Sequence, residues 1–245
     1  MIEQTVEIAT ADGATTTFIV HPERGGPHPV ILFFMDAPAI REELRDMARR
    51  LACVGYYVML PNLYYRRGVM ELADLPPLGA EAARERMFDL MNSLNIDLVM
   101  RDAEALLAYA DGQPAASPGP VGTLGYCMSG QYAVNAAARW PGRVAAAASV
   151  YGTSLVTDRS DSPHLAAQKA KAEFYFACAE IDRWAPLETV EELAQSLAAA
   201  GVNAEVEVYP AVEHGFAFPQ RAVYDKAAGE RHWERLFSLY RRRLG

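Results

Sequence analysis

The stretch GTLGYCMSGQYA, Gly122 to Ala133, decides the fold. Its apolar approach reads as a buried strand, its glycines and serine as a sharp turn, and its far end as the start of an alanine-rich helix. A thiol, Cys127, stands at the apex. A turn this tight between a strand and a helix needs small residues two before and two after the apex, because larger side chains there strike the helix or the neighbouring strand. Gly125 and Ser129 meet that requirement around Cys127. Ser129, the rival nucleophile, is flanked by Cys127 and the bulky Gln131, so sterics favour the cysteine. The helix N-terminus behind Cys127 favours a thiolate and offers the backbone N–H of Met128 to a developing oxyanion.

Working outward, strands and helices alternate. Thr5 to Val20 holds two β-prone runs around Ala11-Asp12-Gly13, an antiparallel hairpin. PVILFFMD, Pro29 to Asp36, is a continuous apolar run of the kind buried on both faces of a parallel sheet. An amphipathic helix over about Arg41 to Cys53 ends at Gly55, and Tyr56 to Asn62 is the next strand. Helical stretches at about Ala80 to Asn92 and Ile96 to Tyr109 precede the Pro/Gly/Ser-rich loop DGQPAASPGP. After the quoted turn and its helix, Ser129 to Arg139, the runs AAAASVYG, AEFYFACAEID and AEVEVYP read as strands. Helices are expected over Leu187 to Ala200 and Tyr224 to Arg243. This alternation predicts an α/β fold of three layers, with a mostly parallel central sheet and helices on both faces. Residues 1–245 read as a single domain, with the loop DGQPAASPGP lying inside it.

Composition excludes several classes. The net charge of −8 opposes binding to a phosphate backbone, so no nucleic-acid partner is expected. No apolar run reaches membrane-spanning length and MIEQTVEIAT does not resemble a signal peptide, so neither membrane nor export is expected. Three scattered cysteines, Cys53, Cys127 and Cys178, form no disulfide framework and point to a reducing, cytoplasmic setting. The five histidines show no metal-ligand spacing, and neither metal nor cofactor is expected; the oligomeric state is open. The basic run RHWERLFSLYRRRLG reads as a solvated helix end, where cations complement the dipole.

In a parallel α/β sheet, sites lie outside the carboxyl ends of the strands. Asp36, Asn62 with Tyr64 and Arg66, Cys127, Tyr151, Asp182, and Glu213 with His214 fall there. Asp182 can orient a histidine ring or start the next helix. His214 directly succeeds a strand and precedes Gly215, which leaves the ring room. The order Cys, Asp, His is that of an α/β-hydrolase.

GYCMSG, ACAEIDRWAP, the HGF of His214 and PNLYYR together resemble the dienelactone hydrolase family, over nearly the whole chain. The resemblance implies an α/β-hydrolase fold and hydrolysis of a small lactone or carboxylic ester through an acyl-thioester enzyme. Carried over to this chain, Cys127 is the nucleophile, His214 the base and then the acid, and Asp182 the orienting acid, with Met128 and Ala37 N–H groups as oxyanion donors. Two positions depart from the family. Asp36 stands where the family has a glutamate that controls the resting thiol. Arg66 matches one of two arginines that hold a substrate carboxylate, but Phe218 occupies the place of the other. With Tyr64 and Trp184 nearby, the expected substrate is a more apolar or aromatic ester. A non-hydrolytic ligand-binding or thiol redox-sensing protein on the same scaffold is the competing expectation.

Overall fold

The computed structural model describes every residue of the chain except Pro77 and the side chain of Asp74. The chain forms two compact units, Met1–Pro118 and Gly119–Gly245. The boundary falls in the Pro/Gly/Ser-rich loop, where composition offers neither periodic apolar residues nor good helix formers.

In the first unit, β1 (Ile2–Thr10) and β2 (Gly13–His21) form the antiparallel hairpin. Gly13 closes the hairpin at φ 140, a backbone conformation that favours glycine. Next come β3 (Val30–Phe34) and β4 (Tyr57–Pro61), linked through helix α1 (Glu42–Ala52). The strand order is β1-β2-β4-β3, with β2 antiparallel and β3 parallel to β4. Every residue of VILFF in β3 is fully buried, which explains the unbroken apolar run. Helices α2 (Ala80–Asn92) and α3 (Ile96–Asp111) complete the unit. Asn95 caps α3 by accepting from the Leu98 N–H at 2.9 Å.

The second unit is a four-stranded parallel sheet in the order β5-β6-β7-β8: β5 (Val121–Tyr126), β6 (Val144–Val150), β7 (Glu173–Ile181) and β8 (Ala204–Glu213). Between and after them run α4 (Gly130–Arg139), α5 (Pro163–Ala167), α6 (Leu187–Ala199) and α7 (Lys226–Leu244). Because the strands are parallel, their carboxyl ends lie on one side of the sheet; Tyr126 pairs with Val150, Val150 with Ala177, and Ile181 with Glu213 beyond a register shift in the β7–β8 pair. The residues immediately after β5, β6, β7 and β8 are Cys127, Tyr151, Asp182 and His214. Helix α7 lies close on β5: a methyl group at Gly122 would come within 2.8 Å of the Tyr240 ring, whose hydroxyl donates to the Thr123 carbonyl at 2.8 Å.

Three details differ from the pattern read in the sequence. The helix after the elbow begins at Gly130, because Cys127–Ser129 forms a 3-10 turn that absorbs the change of direction. The final helix begins at Lys226, because the Asp225 side chain accepts from the Ala228 N–H at 2.8 Å and caps it there. Five-residue α5 has no periodic signature to announce it, being too short for one apolar repeat. Among the described residues, no helix is long and apolar enough to cross a membrane.

Candidate active site

Cys127 adopts φ 53, a left-handed conformation unusual for a residue with a side chain, and its thiol is partly exposed. Such strain persists only where surrounding structure over-determines it. Here the constraint is steric. A methyl group at Gly125 would overlap the Ser129 carbonyl, and one at Gly130 would overlap Ser149 Oγ and approach the Gly152 Cα to 2.7 Å. The need for a small residue thus extends from Gly125 and Ser129 to Gly130, a position the sequence also shows as glycine. The Cys127 carbonyl accepts from the Thr153 N–H at 3.1 Å, which ties the loop after β6 to the apex. Met128, buried, lies in the first turn behind the thiol.

Asp182 is buried and its two oxygens have different partners. Oδ1 accepts from the Trp184 N–H at 2.8 Å and the Ala185 N–H at 3.2 Å; Oδ2 accepts from His214 Nδ1 at 2.7 Å. Asp182 therefore orders the turn toward α6 and also bonds the imidazole. It is not the cap of α6, whose N-cap is Pro186. The hydrogen bond to Asp182 puts the imidazole proton on Nδ1 and leaves Nε2 for exchange. Nε2 is buried and has no well-aligned hydrogen bond. The Cys127 sulfur is nevertheless near enough to act on the ring. Burial alone pulls the His214 pKa down; bonding to Asp182 and to Cys127 outweighs it and pushes the pKa up to about 9. Sulfur and nitrogen are neighbours without an aligned hydrogen bond, as catalytic pairs often are before substrate binds.

An aromatic enclosure surrounds the imidazole. The Tyr151 ring lies 4.9 Å from it, centroid to centroid, and contacts Phe216 at 5.4 Å and Phe218 at 6.0 Å. Tyr151 itself sits at φ 36 and donates its N–H to the Ala177 carbonyl at 2.6 Å. Tyr126 packs on Phe218 at 5.2 Å and bonds His232 Nε2 through its hydroxyl at 3.0 Å. Phe218 is fully buried, while Trp184 is 42% exposed with the Arg183 guanidinium over its ring. Nothing in the sequence singles out Tyr126 and Phe216, because a lone aromatic beside a motif looks like any core residue.

The other expected residues belong to the first unit. Asp36 lies just past β3, is wholly buried, and pairs with Arg41 through Nη1 at 2.6 Å and Nη2 at 3.3 Å; Arg41 also binds Glu43. The Ala37 carbonyl accepts from the buried Tyr64 hydroxyl at 2.9 Å, which fixes the backbone after β3. Arg66 is divided between two carboxylates. Its Nε and Nη2 reach Asp12 at 3.0 and 2.8 Å, and its Nη1 and Nη2 reach Asp102 at 2.9 and 2.6 Å. No sequence signal marks Arg41 as the partner of Asp36, although a cation five residues from a strand-end acid is visible.

A strained apex after β5, an acid after β7 and a histidine after β8 of a parallel sheet define an α/β-hydrolase. Comparison with known proteins agrees. The dienelactone hydrolase family model matches residues 15–244, and the chain belongs to that family, whose members are lactone and ester hydrolases. A relative from Methylorubrum extorquens, provisionally named a carboxymethylenebutenolidase, is 29% identical over 98% of this chain and 81% of its own. The carboxymethylenebutenolidase of Pseudomonas putida is 30% identical over 63% of each chain. In fold, the chain matches a crystal structure from Klebsiella pneumoniae, provisionally a dienelactone hydrolase, with a TM-score of 0.87 at 24% identity and 98% coverage of both.

Proposed function

We propose that this protein hydrolyses a small lactone or carboxylic ester with Cys127 as nucleophile, His214 as base and then acid, and Asp182 as the orienting carboxylate. The observation that carries the reading is the 2.7 Å bond from His214 Nδ1 to Asp182, which turns Nε2 toward the neighbouring thiol at the strained apex. In the first step His214 Nε2 holds the thiol proton while Sγ attacks the carbonyl carbon. The developing oxyanion is met by the Met128 N–H and, by the family resemblance, the Ala37 N–H. Collapse expels the alkoxide, which takes the proton from His214 and leaves an acyl thioester; in a lactone the alcohol stays tethered to the acyl chain. Water then gives its proton to Nε2, attacks the thioester carbonyl, and releases the acid and the thiolate-imidazolium pair. Asp36, anchored by Arg41, is proposed as the acid that modulates the thiol. Trp184, partly exposed, is proposed to contact an apolar to aromatic substrate, whereas Tyr64 and Phe218 are wholly buried; Arg66 is the family's matching arginine. The three free cysteines favour a reducing, cytoplasmic setting.

A panel of aryl esters and enol-lactones tests the reading. Turnover is expected in the parent, and Cys127→Ala is expected to remove it, since loss of a triad nucleophile costs on the order of a millionfold in a studied protease. Folded parent protein with no turnover on any member would favour the ligand-binding or redox-sensing alternative.

A further inference from the structure

The loop from Tyr151 to Ser162 folds back along the elbow and is tied to it twice. Near its start the Thr153 N–H donates to the Cys127 carbonyl at 3.1 Å; farther on, Arg159 Nη2 donates to Gln131 Oε1 at 3.2 Å. Gln131 is oriented for this contact, because its amide nitrogen donates to the Met128 carbonyl at 3.0 Å and so turns its oxygen toward the arginine. The residue after the thiol therefore sets the amide, and the amide sets the guanidinium. Gln131 is four residues beyond Cys127, about one helical turn or 6 Å along the chain axis, so its contact keeps the Arg159 guanidinium at the same end of α4 as the thiol.

Arg159 also pairs with Asp161, Nε to Oδ1 at 2.9 Å, but the two side chains are 51% and 42% exposed. A pair so open to water holds its partners weakly, and a bound anion can compete for the guanidinium. The contrast is Arg66, only 16% exposed and bonded by two carboxylates at once.

We propose that Arg159 is a specificity residue for this hydrolase: it binds an anionic group on the substrate's acyl chain while Cys127 attacks the ester carbonyl. The proposal rests on the hydrolase reading, and places the substrate's charge on the loop after β6. Gln131 acts as the positioning residue, keeping the guanidinium beside the first turn of α4. A carboxylate offers the planar pair of acceptors that a guanidinium fork fits.

Two aryl esters test this: the 4-nitrophenyl monoester of adipic acid, with a free carboxylate, and the same acyl chain ending in a primary amide. The parent is expected to show a higher kcat/KM for the carboxylate, and the preference should shrink in about 0.5 M salt, where screening acts within a few ångströms. Arg159→Gln is expected to lower the carboxylate-to-amide ratio about threefold to fivefold, mainly through KM, as for one exposed charge pair. Arg159→Lys should restore part of it, and Asp161→Asn, which frees the guanidinium, should raise the ratio above the parent's. A ratio equal in the parent and in Arg159→Gln would overturn the assignment and leave the hydrolase reading standing. Turnover of other members of the aryl ester and enol-lactone panel but of neither adipate ester would overturn the assignment alone, and no turnover on any member by folded parent protein would overturn both.

Discussion

Two buried carboxylates, Asp36 in the first unit and Asp182 in the second, show how a partner decides what an acid can do. Asp36 faces Arg41, a cation at any physiological pH, so the pair is fixed and structural in its electrostatics. Asp182 faces His214, whose charge is conditional, and it keeps one oxygen on backbone N–H groups while the other tracks the ring. The first arrangement holds a segment in place. The second stores a proton that chemistry can use.

Between the two carboxylates, the larger expected effect comes from removing the conditional partner's anchor. Asp182→Asn keeps the shape but presents an amide to Nδ1, and kcat should fall by about 10⁴, as when a triad aspartate is so replaced. Steady-state assay of the parent and variant on one aryl ester checks it; a loss below tenfold would break the comparison, because Asp182 would then be as structural as Asp36.

Breaking the fixed pair should act on stability instead. Arg41→Met leaves Asp36 buried without its cation, and the chain should lose about 3 kcal/mol in urea unfolding. Asp36→Asn added to Arg41→Met should recover much of that loss. Destabilisation that persists in the double variant would mean that Arg41 contributes through packing rather than charge.

The conditional pair also makes a pH signature. The folded pKa of His214, about 9, lies above the ordinary unfolded value near 6.5. Its contribution to stability is thus fully present below about 6.5 and is lost as the pH rises through about 9. Unfolding free energies across that window should decline in the parent and be flatter in Asp182→Asn. Equal slopes in the two proteins would remove the pair as the source.

The smallest effect concerns the resting thiol. If Asp36 repels a second negative charge at Cys127, Asp36→Asn should alkylate with iodoacetamide faster near neutral pH, by a few-fold at most because Arg41 already offsets the charge. Superimposable rate–pH profiles would confine Asp36 to its pair with Arg41.

Much of the catalytic unit can be read from the chain because each strand there announces itself locally. Apolar runs of buried-strand length lead to Cys127 and Asp182, and the alternating strand AEVEVYPAVE leads to His214; parallel pairing brings the ends to one side of the sheet. The hidden part depends on long side chains crossing sequence distance. Arg66 meets Asp102 across 36 residues and Arg159 meets Gln131 across 28, and no periodicity encodes such meetings. Nor does a sequence reveal that Tyr126, one residue before the thiol, bonds His232 in the final helix. The split into units at Pro118 is equally invisible as a boundary, because the loop that carries it is short and strand structure resumes at once.

The contact between Tyr240 and Thr123 bears on the order in which the protein comes into being. A ribosome lays down β5 and the elbow near the midpoint of synthesis, yet the helix that covers that strand is made after β8. Until α7 has emerged, Gly122 and Thr123 lack the Tyr240 ring and hydroxyl, although β5 can already pair with β6. Cys127 is therefore among the middle parts of the chain to be synthesised, while the last cover on its strand comes from the final helix.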